Sequence, residues 1–243
     1  LAGHAVTILA AIEAARLDLD PAAEPAGTLR VAAFTTSFRT LLLPVVRALA
    51  AGYPKVQLHI HEYEPDEALA LLAADEIDLA LTYDYNLAPA RFSRALSVRP
   101  LGQTRWGLGL PSSSGPPSPG RASAPEVFGW FRERDWIVNS RNTADEEVIR
   151  AVAGLAGFQP RITHRADSLD LVQDMILAGL GVGLLPGALP LVRGVRLQRL
   201  GQPEVIQRVY AVTRRGPAAW APLALVLRLL EDAPGRDTPE QSR

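Results

Sequence analysis

Residues 175–187 read MILAGLGVGLLPG, with glycines at 179, 181 and 183 between two apolar runs and Pro186 near the end. Such a stretch is either a phosphate-holding loop or the end of a helix. A phosphate loop places its glycines after a strand and before a helix, so that the helix N-terminus meets the anion. Here the order is reversed. Upstream, Leu169, Val172, Met175, Ile176 and Gly179 recur at helical spacing, and Asp167 or Ser168 can cap the first turn. Downstream, Val182, Leu184 and Leu185 form a short β-type run that proline ends. Gly179 or Gly181 suits the left-handed residue that stops a helix, and the other glycines permit close packing of helix on strand. The stretch is a helix-to-strand corner.

Outward from this corner the chain repeats the same alternation. Gly27 opens an apolar strand, TLRVAAF, and Thr35-Thr36-Ser37 start a helix in which Pro44 implies a kink or a late start. VQLHIHE (56–62) is a strand, Pro65 and Asp66 open a helix through Leu72, and IDLALTYD (77–84) is apolar enough to be buried on both faces. A short strand, RWGLGL (105–110), precedes PSSSGPPSPGRAS (111–123), a surface loop by composition. Ser123 with Glu126, and Thr143 with Glu146, fit capping boxes before two further helices. Between and after them lie strands at WIVNS (136–140) and RITHRA (161–166), with Gly157 as a helix stop. A β segment at 205–215 and a helix at 218–233 complete the body. Strand, helix, strand in succession gives α/β layers with mainly parallel sheets.

Composition removes several classes of function. The 243 residues are 48% hydrophobic and 21% charged with net charge −1, which is globular and lacks the basic excess of a nucleic-acid surface. Zero cysteines excludes disulfides, thiol redox chemistry and cysteine zinc sites. No apolar run approaches the ~18 residues of a membrane span, and no signal peptide is visible, so a cytoplasmic location is expected. LAGHAVTILAAIEAARL (1–17) is an amphipathic helix, detached by DLDPAAEPAG, whose stripe is most simply covered by a second copy of itself.

The order and spacing of several motifs resemble the LysR-type transcriptional regulators. Gly27-Thr28-Leu29-Arg30-Val31 resembles the family's opening strand, and Leu43-Pro44 through Tyr53-Pro54 its "LP…YP" helix. Glu62, Leu69, Leu72 and Ile77-Asp78-Leu79-Ala80-Leu81 resemble its "E…L…L…G-x-L-D-L-A-L" pattern, with Asp75-Glu76 where the glycine usually stands. Gly157-Phe158-Gln159-Pro160 and Ala178 through Pro186 match "GF-x-P" and "AGLG…LP". The resemblance implies an α/β, two-lobed, type II periplasmic-binding-protein-like fold preceded by a linker helix. It places a linker or dimerisation helix at 1–20, lobe one at 27–99 plus 210–232, lobe two at 100–209, and a disordered tail at 233–243. It also implies a small-molecule inducer held between the lobes and self-association as a homodimer or homotetramer. The family's winged helix-turn-helix is not among these residues, so DNA contact is expected only through such an N-terminal domain.

In parallel α/β sheets ligands sit beyond the carboxyl ends of strands, where helices begin. Three such junctions carry uncharged hydrogen-bonding groups: Thr35-Thr36-Ser37, Asn139-Ser140 and Asp167-Ser168. Hydroxyls and free N–H groups there suit a carboxylate or another small anion, although the same residues also serve as plain helix caps. Tyr83 and Asp84 end the third strand and are expected to line the opening. By resemblance Thr35-Thr36-Ser37 matches the family's inducer-gripping hydroxyls. Asp167 would repel a carboxylate, which favours an amine or hydroxyl at that end of the ligand. His59 and His61 share a strand face, but zinc needs a third ligand and none is apparent, so no metal is expected. No G-x-S-x-G, H-E-x-x-H or phosphate loop is present, so neither a catalytic residue nor a cofactor is expected. A transporter's solute-binding protein shares the fold and is the rival reading; the helix at 1–17, with no small-residue cleavage pattern, argues against it.

Overall fold

The computed structural model describes residues 24–114, 122–140, 143–215 and 220–233. The predicted linker helix, the middle of the 111–123 loop and the polar tail after residue 233 lie outside the described residues. The chain divides into two compact units, one formed by residues up to Thr82 with Arg91–Gly102 and Val209 onward, the other by Tyr83–Ala90 with Gln103–Arg208.

In the first unit β1 (Gly27–Ala33) pairs in parallel with β2 (Val56–Glu62) along its whole length and with β3 (Leu79–Tyr85) through Val31 and Ala32. β9 (Val205–Arg214) lies next to β3, and β4 (Leu96–Pro111) next to β9. Alternation of side chains along β1 and β3 supplies both faces of this sheet. Leu29, Val31, Ala33, Leu79 and Leu81 pack with Val45 and Leu49 of α2 (Leu43–Gly52) and with Leu225, Val226 and Leu230 of α7 (Ala221–Asp232). Ala32 and Ala80 face the other way, onto Ala68 and Leu72 of α3 (Pro65–Ala73). Every residue of β3 is buried, Thr82 and Asp84 included, in keeping with its largely apolar sequence.

Pro44 stands at the late start of its regular α-helix. One helical turn, α1 (Thr35–Ser37), runs into a π-helical stretch (Phe38–Leu42) and then α2, with Pro44 in the first turn of α2. The wider π-turn stands just upstream of the ring, where an ordinary α-turn would meet the proline's missing donor and steric clash.

Asp75, at the position where the resemblance puts glycine, has φ 63°, the left-handed region that glycine enters without penalty. Charge holds it there. The Asp75 carboxylate pairs with Arg214 at 2.6 Å, and its carbonyl accepts from Arg30 at 2.9 Å. Arg30 also makes a forked contact with Asp78, at 3.1 and 2.7 Å. Asp75→Ala keeps the left-handed backbone and loses the ion pair, whereas Asp75→Gly loses the ion pair alone. Urea denaturation is expected to show the alanine variant less stable than the glycine variant by about 1 kcal/mol. Equal losses would mean that this backbone conformation carries no penalty.

In the second unit β5 (Asp135–Val138) pairs in parallel with β6 (Arg161–Arg165) and β7 (Val182–Pro186). β4 runs antiparallel to β7 and to β8 (Val195–Gln198). Among the described residues this unit has the helices α4 (Ala124–Trp130), α5 (Thr143–Leu155) and α6 (Leu169–Leu177). α4 has the predicted capping box, with the Ser123 hydroxyl accepting from the Glu126 amide and the Glu126 carboxylate accepting from the Ser123 amide at 2.8 Å. The second predicted box rests on the Thr143 side chain, which lies outside the described residues. Thr143 is the first residue of α5, and Glu146 pairs with Arg150 and Arg165 at 2.7 and 2.5 Å.

The glycine corner after α6 divides its tasks among the three residues. Gly179 has φ 76°, its N–H bonds to the Ile176 carbonyl, and the Leu180 N–H reaches back to Met175, which is the Schellman stop. Gly181 and Gly183 serve close approach: a Cβ would lie 2.5 Å from the Asp135 carbonyl oxygen at 181 and 2.8 Å from that of Ile137 at 183. β7 can therefore lie against β5 only with hydrogen at both positions.

Candidate functional site

The strand-to-helix junctions of each unit hold the residues singled out from sequence, and nearly all their hydroxyls have partners. In the first unit the Thr35 hydroxyl donates to the Glu62 carboxylate at the end of β2. The buried Ser37 hydroxyl donates to the Phe34 carbonyl at 2.7 Å, closing the turn that starts α1. Thr36 is half-buried, and no bond of its hydroxyl is seen among the described residues.

In the second unit two separate segments meet on one carboxylate of a third. Tyr83 and Tyr85, alternate residues of β3 and so on one face of it, donate their phenolic hydrogens to the two oxygens of Asp145, at 2.7 and 2.5 Å. Ser140, fully buried just after β5, bonds to the same carboxylate, as does the Asp145 backbone. Gln207 of β9 donates to the Tyr85 oxygen at 3.4 Å. The Trp106 ring stands edge-on to that of Tyr85, with centroids 5.6 Å apart. Asp145 itself is 1% exposed. Burial pushes its carboxyl above the ordinary carboxylate range, while the hydroxyls of Tyr85, Tyr83 and Ser140 act in the opposite sense by bonding to the charged form.

Two of the predicted ligand residues, Tyr83 and Ser140, are thus brought together by a residue that sequence reading passed over. Asp145 lies in the first turn of α5, where acids are common because they complement the helix dipole, and its burial depends on segments distant in the chain. Tyr85 was equally hidden, one step beyond the predicted end of its strand. The other candidates are placed separately. Asp84 points away from the tyrosines and is forked onto Arg208, with both contacts at 2.8 Å, while also accepting from the Ala90 amide at 3.0 Å. Asn139 is half-buried in the bend after β5. Ser168 is the N-cap of α6, its hydroxyl accepting from the Leu171 amide, and Asp167 precedes it, half-buried.

His59 and His61 alternate along exposed positions of β2, and His61 stacks on Tyr63 with ring centroids 6.3 Å apart. Among the described residues no group of three or more His, Asp or Glu side chains is arranged to hold a metal ion. Among them, too, no helix is long and apolar enough to cross a membrane.

Two α/β units with polar strand-to-helix junctions are the architecture of an effector-binding domain, and comparison with known proteins gives the family. The model of the LysR substrate binding domain family matches residues 22–234, so the chain belongs to that family. Among curated proteins it is 26% identical over 159 residues to the HTH-type transcriptional regulator CysB of Haemophilus influenzae, covering 65% of this chain and 47% of that protein. The chain thus spans about half the length of this relative. Among solved structures, the C-terminal domain of a probable LysR family regulator from Rhodococcus sp. RHA1 matches with TM-score 0.68 and 20% identity, covering 84% of this chain and 98% of that one. The effector binding domain of QuiR, solved in complex with shikimate, matches with TM-score 0.70 and 9% identity, over 85% of this chain and 96% of that one. These structural likenesses establish a LysR-type effector-binding fold.

Proposed function

We propose that this chain is the effector-sensing and oligomerising region of a transcriptional regulator, and that it binds a small polar metabolite. The observation that carries the reading is the convergence of Tyr83 and Ser140, two residues from distant junctions, on one buried carboxylate. Packing alone rarely places so many hydroxyls in a core, because each must find a partner there. That the QuiR domain holds shikimate supports a small metabolite as ligand. Thr35, Thr36, Ser37, Tyr83, Asp84, Asn139, Ser140, Asp167 and Ser168 remain the candidate set. Thr36, with its uncommitted hydroxyl, is the residue to receive an anionic or carboxylate oxygen of the ligand. The ligand acts by binding two settings of the domain with different affinity, and in the full regulator DNA-binding segments would respond to that choice.

A thermal-shift screen of metabolites on the purified chain tests the reading, since a specific ligand stabilises by mass action. With a ligand in hand, Thr36→Val is expected to weaken binding about tenfold with the unliganded Tm unchanged. Ser37→Ala is expected to lower stability by about 1 kcal/mol, because its hydroxyl closes a buried turn. An unaltered titration in Thr36→Val would remove Thr36 from the site. Native mass spectrometry is expected to show a dimer or larger assembly.

A further inference from the structure

Two buried indoles of the second unit, Trp106 and Trp136, have no acceptor for their N–H among the described residues. An unpaired buried donor destabilises a fold, so each needs a physical reason. For Trp136 the reason is packing. Its ring lies against Phe128 and Phe158, with centroids 4.6 and 6.2 Å away, and aromatic contact outweighs the lost bond.

Trp106 keeps different company. A Cβ at Gly109 would lie 3.0 Å from Ile176 of α6, so Trp106, three places back along β4, faces the other side of the sheet. There its ring meets that of Tyr85, whose hydroxyl donates to Asp145 and accepts from Gln207. Tyr83 and Ser140 bond to the same carboxylate. All of these residues belong to the second unit. The side chains of this cluster are bonded to one another; the indole N–H, one tyrosine ring away, is not. It stands near the end of β5 and the start of α5, the kind of junction where α/β sheets hold ligands.

We propose that Trp106 is a ligand-binding residue whose Nε1–H donates to an uncharged oxygen of the effector, a carbonyl or a hydroxyl. This rests on the effector-binding reading above and adds to it a contact made wholly within the second unit. An indole nitrogen donates and does not accept, so the group it takes must be an acceptor. Burial narrows the class. Trp106 is 4% exposed and Asp145 1%. A ligand carboxylate would lose its water here and, near an ionised Asp145, would be repelled as well. An amide, ketone or alcohol oxygen meets neither obstacle.

The test is NMR of the indole N–H groups on the whole chain, with tryptophan isotopically labelled. Trp106→Phe and Trp136→Phe assign the two buried signals. Acetamide, N-methylacetamide and acetone supply uncharged acceptors, and acetate a charged one of similar size. At millimolar concentrations the uncharged compounds are expected to move the Trp106 proton downfield and acetate to leave it in place. The Trp136 signal is expected to move with none of them. Trp106→Phe removes a donor that has no bond among the described residues, so it is expected to fold and to weaken the uncharged compounds about tenfold, followed at the Gln207 side-chain amide. Should that variant fail to fold, the titrations of the unaltered protein decide alone. A Trp106 signal that no compound moves, or that acetate moves as far, overturns the assignment. So does cross-relaxation showing a resident water already bonded to this N–H in the unliganded protein. The effector reading is decided separately by the thermal-shift screen: a metabolite that stabilises the chain and leaves the Trp106 signal in place overturns the indole contact alone.

Discussion

Asp145→Ala is expected to destabilise the protein by about 3–5 kcal/mol, because it leaves the buried hydroxyls of Tyr83, Tyr85 and Ser140 without an acceptor at about 1–3 kcal/mol each before relaxation. Asp145→Asn is expected to lose much less, since an amide fills the same space and bonds to the same neighbours. The two variants also differ in how stability responds to pH. Burial raises the folded-state pKa of Asp145 above its unfolded value near ~3.9. Between those two values the folded chain holds a proton that the unfolded chain has lost. Stability therefore falls as pH rises through that window, is unaffected by this group below it, and has lost the full contribution above it. Urea denaturation across a pH series should show the unaltered protein losing stability relative to Asp145→Asn as pH rises. A difference that is flat, or that grows in the opposite sense, would mean that the carboxyl is not held above its usual range.

The second large effect is expected at Gly181. An alanine methyl there would sit 2.5 Å from the Asp135 carbonyl oxygen and 3.3 Å from Ile137 Cγ1. A strand carbonyl cannot swing aside as a side chain does, so β7 must move from β5, at about 2–3 kcal/mol. Gly179→Ala is the informative comparison. Nothing lies within 4 Å of its added Cβ, and only the left-handed backbone opposes it, at about 1–2 kcal/mol. Thermal denaturation should rank Gly181→Ala below Gly179→Ala. The reverse order would mean that the corner is limited by its turn and not by strand packing.

These residues also mark what the chain discloses before folding. Helix stops, caps and strands such as β2 (Val56–Glu62) rest on neighbours within a few residues, so local pattern finds them; Ser123, Ser168 and Gly157 are of this kind. β4 was legible only in its apolar half. Its first part, LSVRPLGQT, mixes charge, proline and glycine and is extended because of its place beside other strands. β8, VRLQ, is too short for periodicity to register. The π-helical stretch before Pro44 has no composition of its own. For the site, the hydroxyl-bearing junctions were visible, while Asp145 and Glu62, which take their protons, were not. An acid in the first turn of a helix or at the end of a strand looks solvated until tertiary structure encloses it.

The last part of β3 has a mechanical consequence. Tyr83 and Tyr85 are tied to Asp145, Asp84 to Arg208, and Asn86 exchanges bonds with Ile206 and the Glu204 carbonyl. Four successive residues are thereby moored alternately to opposite sides. Sliding this segment by one place would exchange phenols for acids at every berth, and sliding it by two would strand Asn86 or Tyr83 with nothing to hold. The segment has a single permitted alignment, and its amide hydrogens should be among the slowest in the second unit to exchange with solvent.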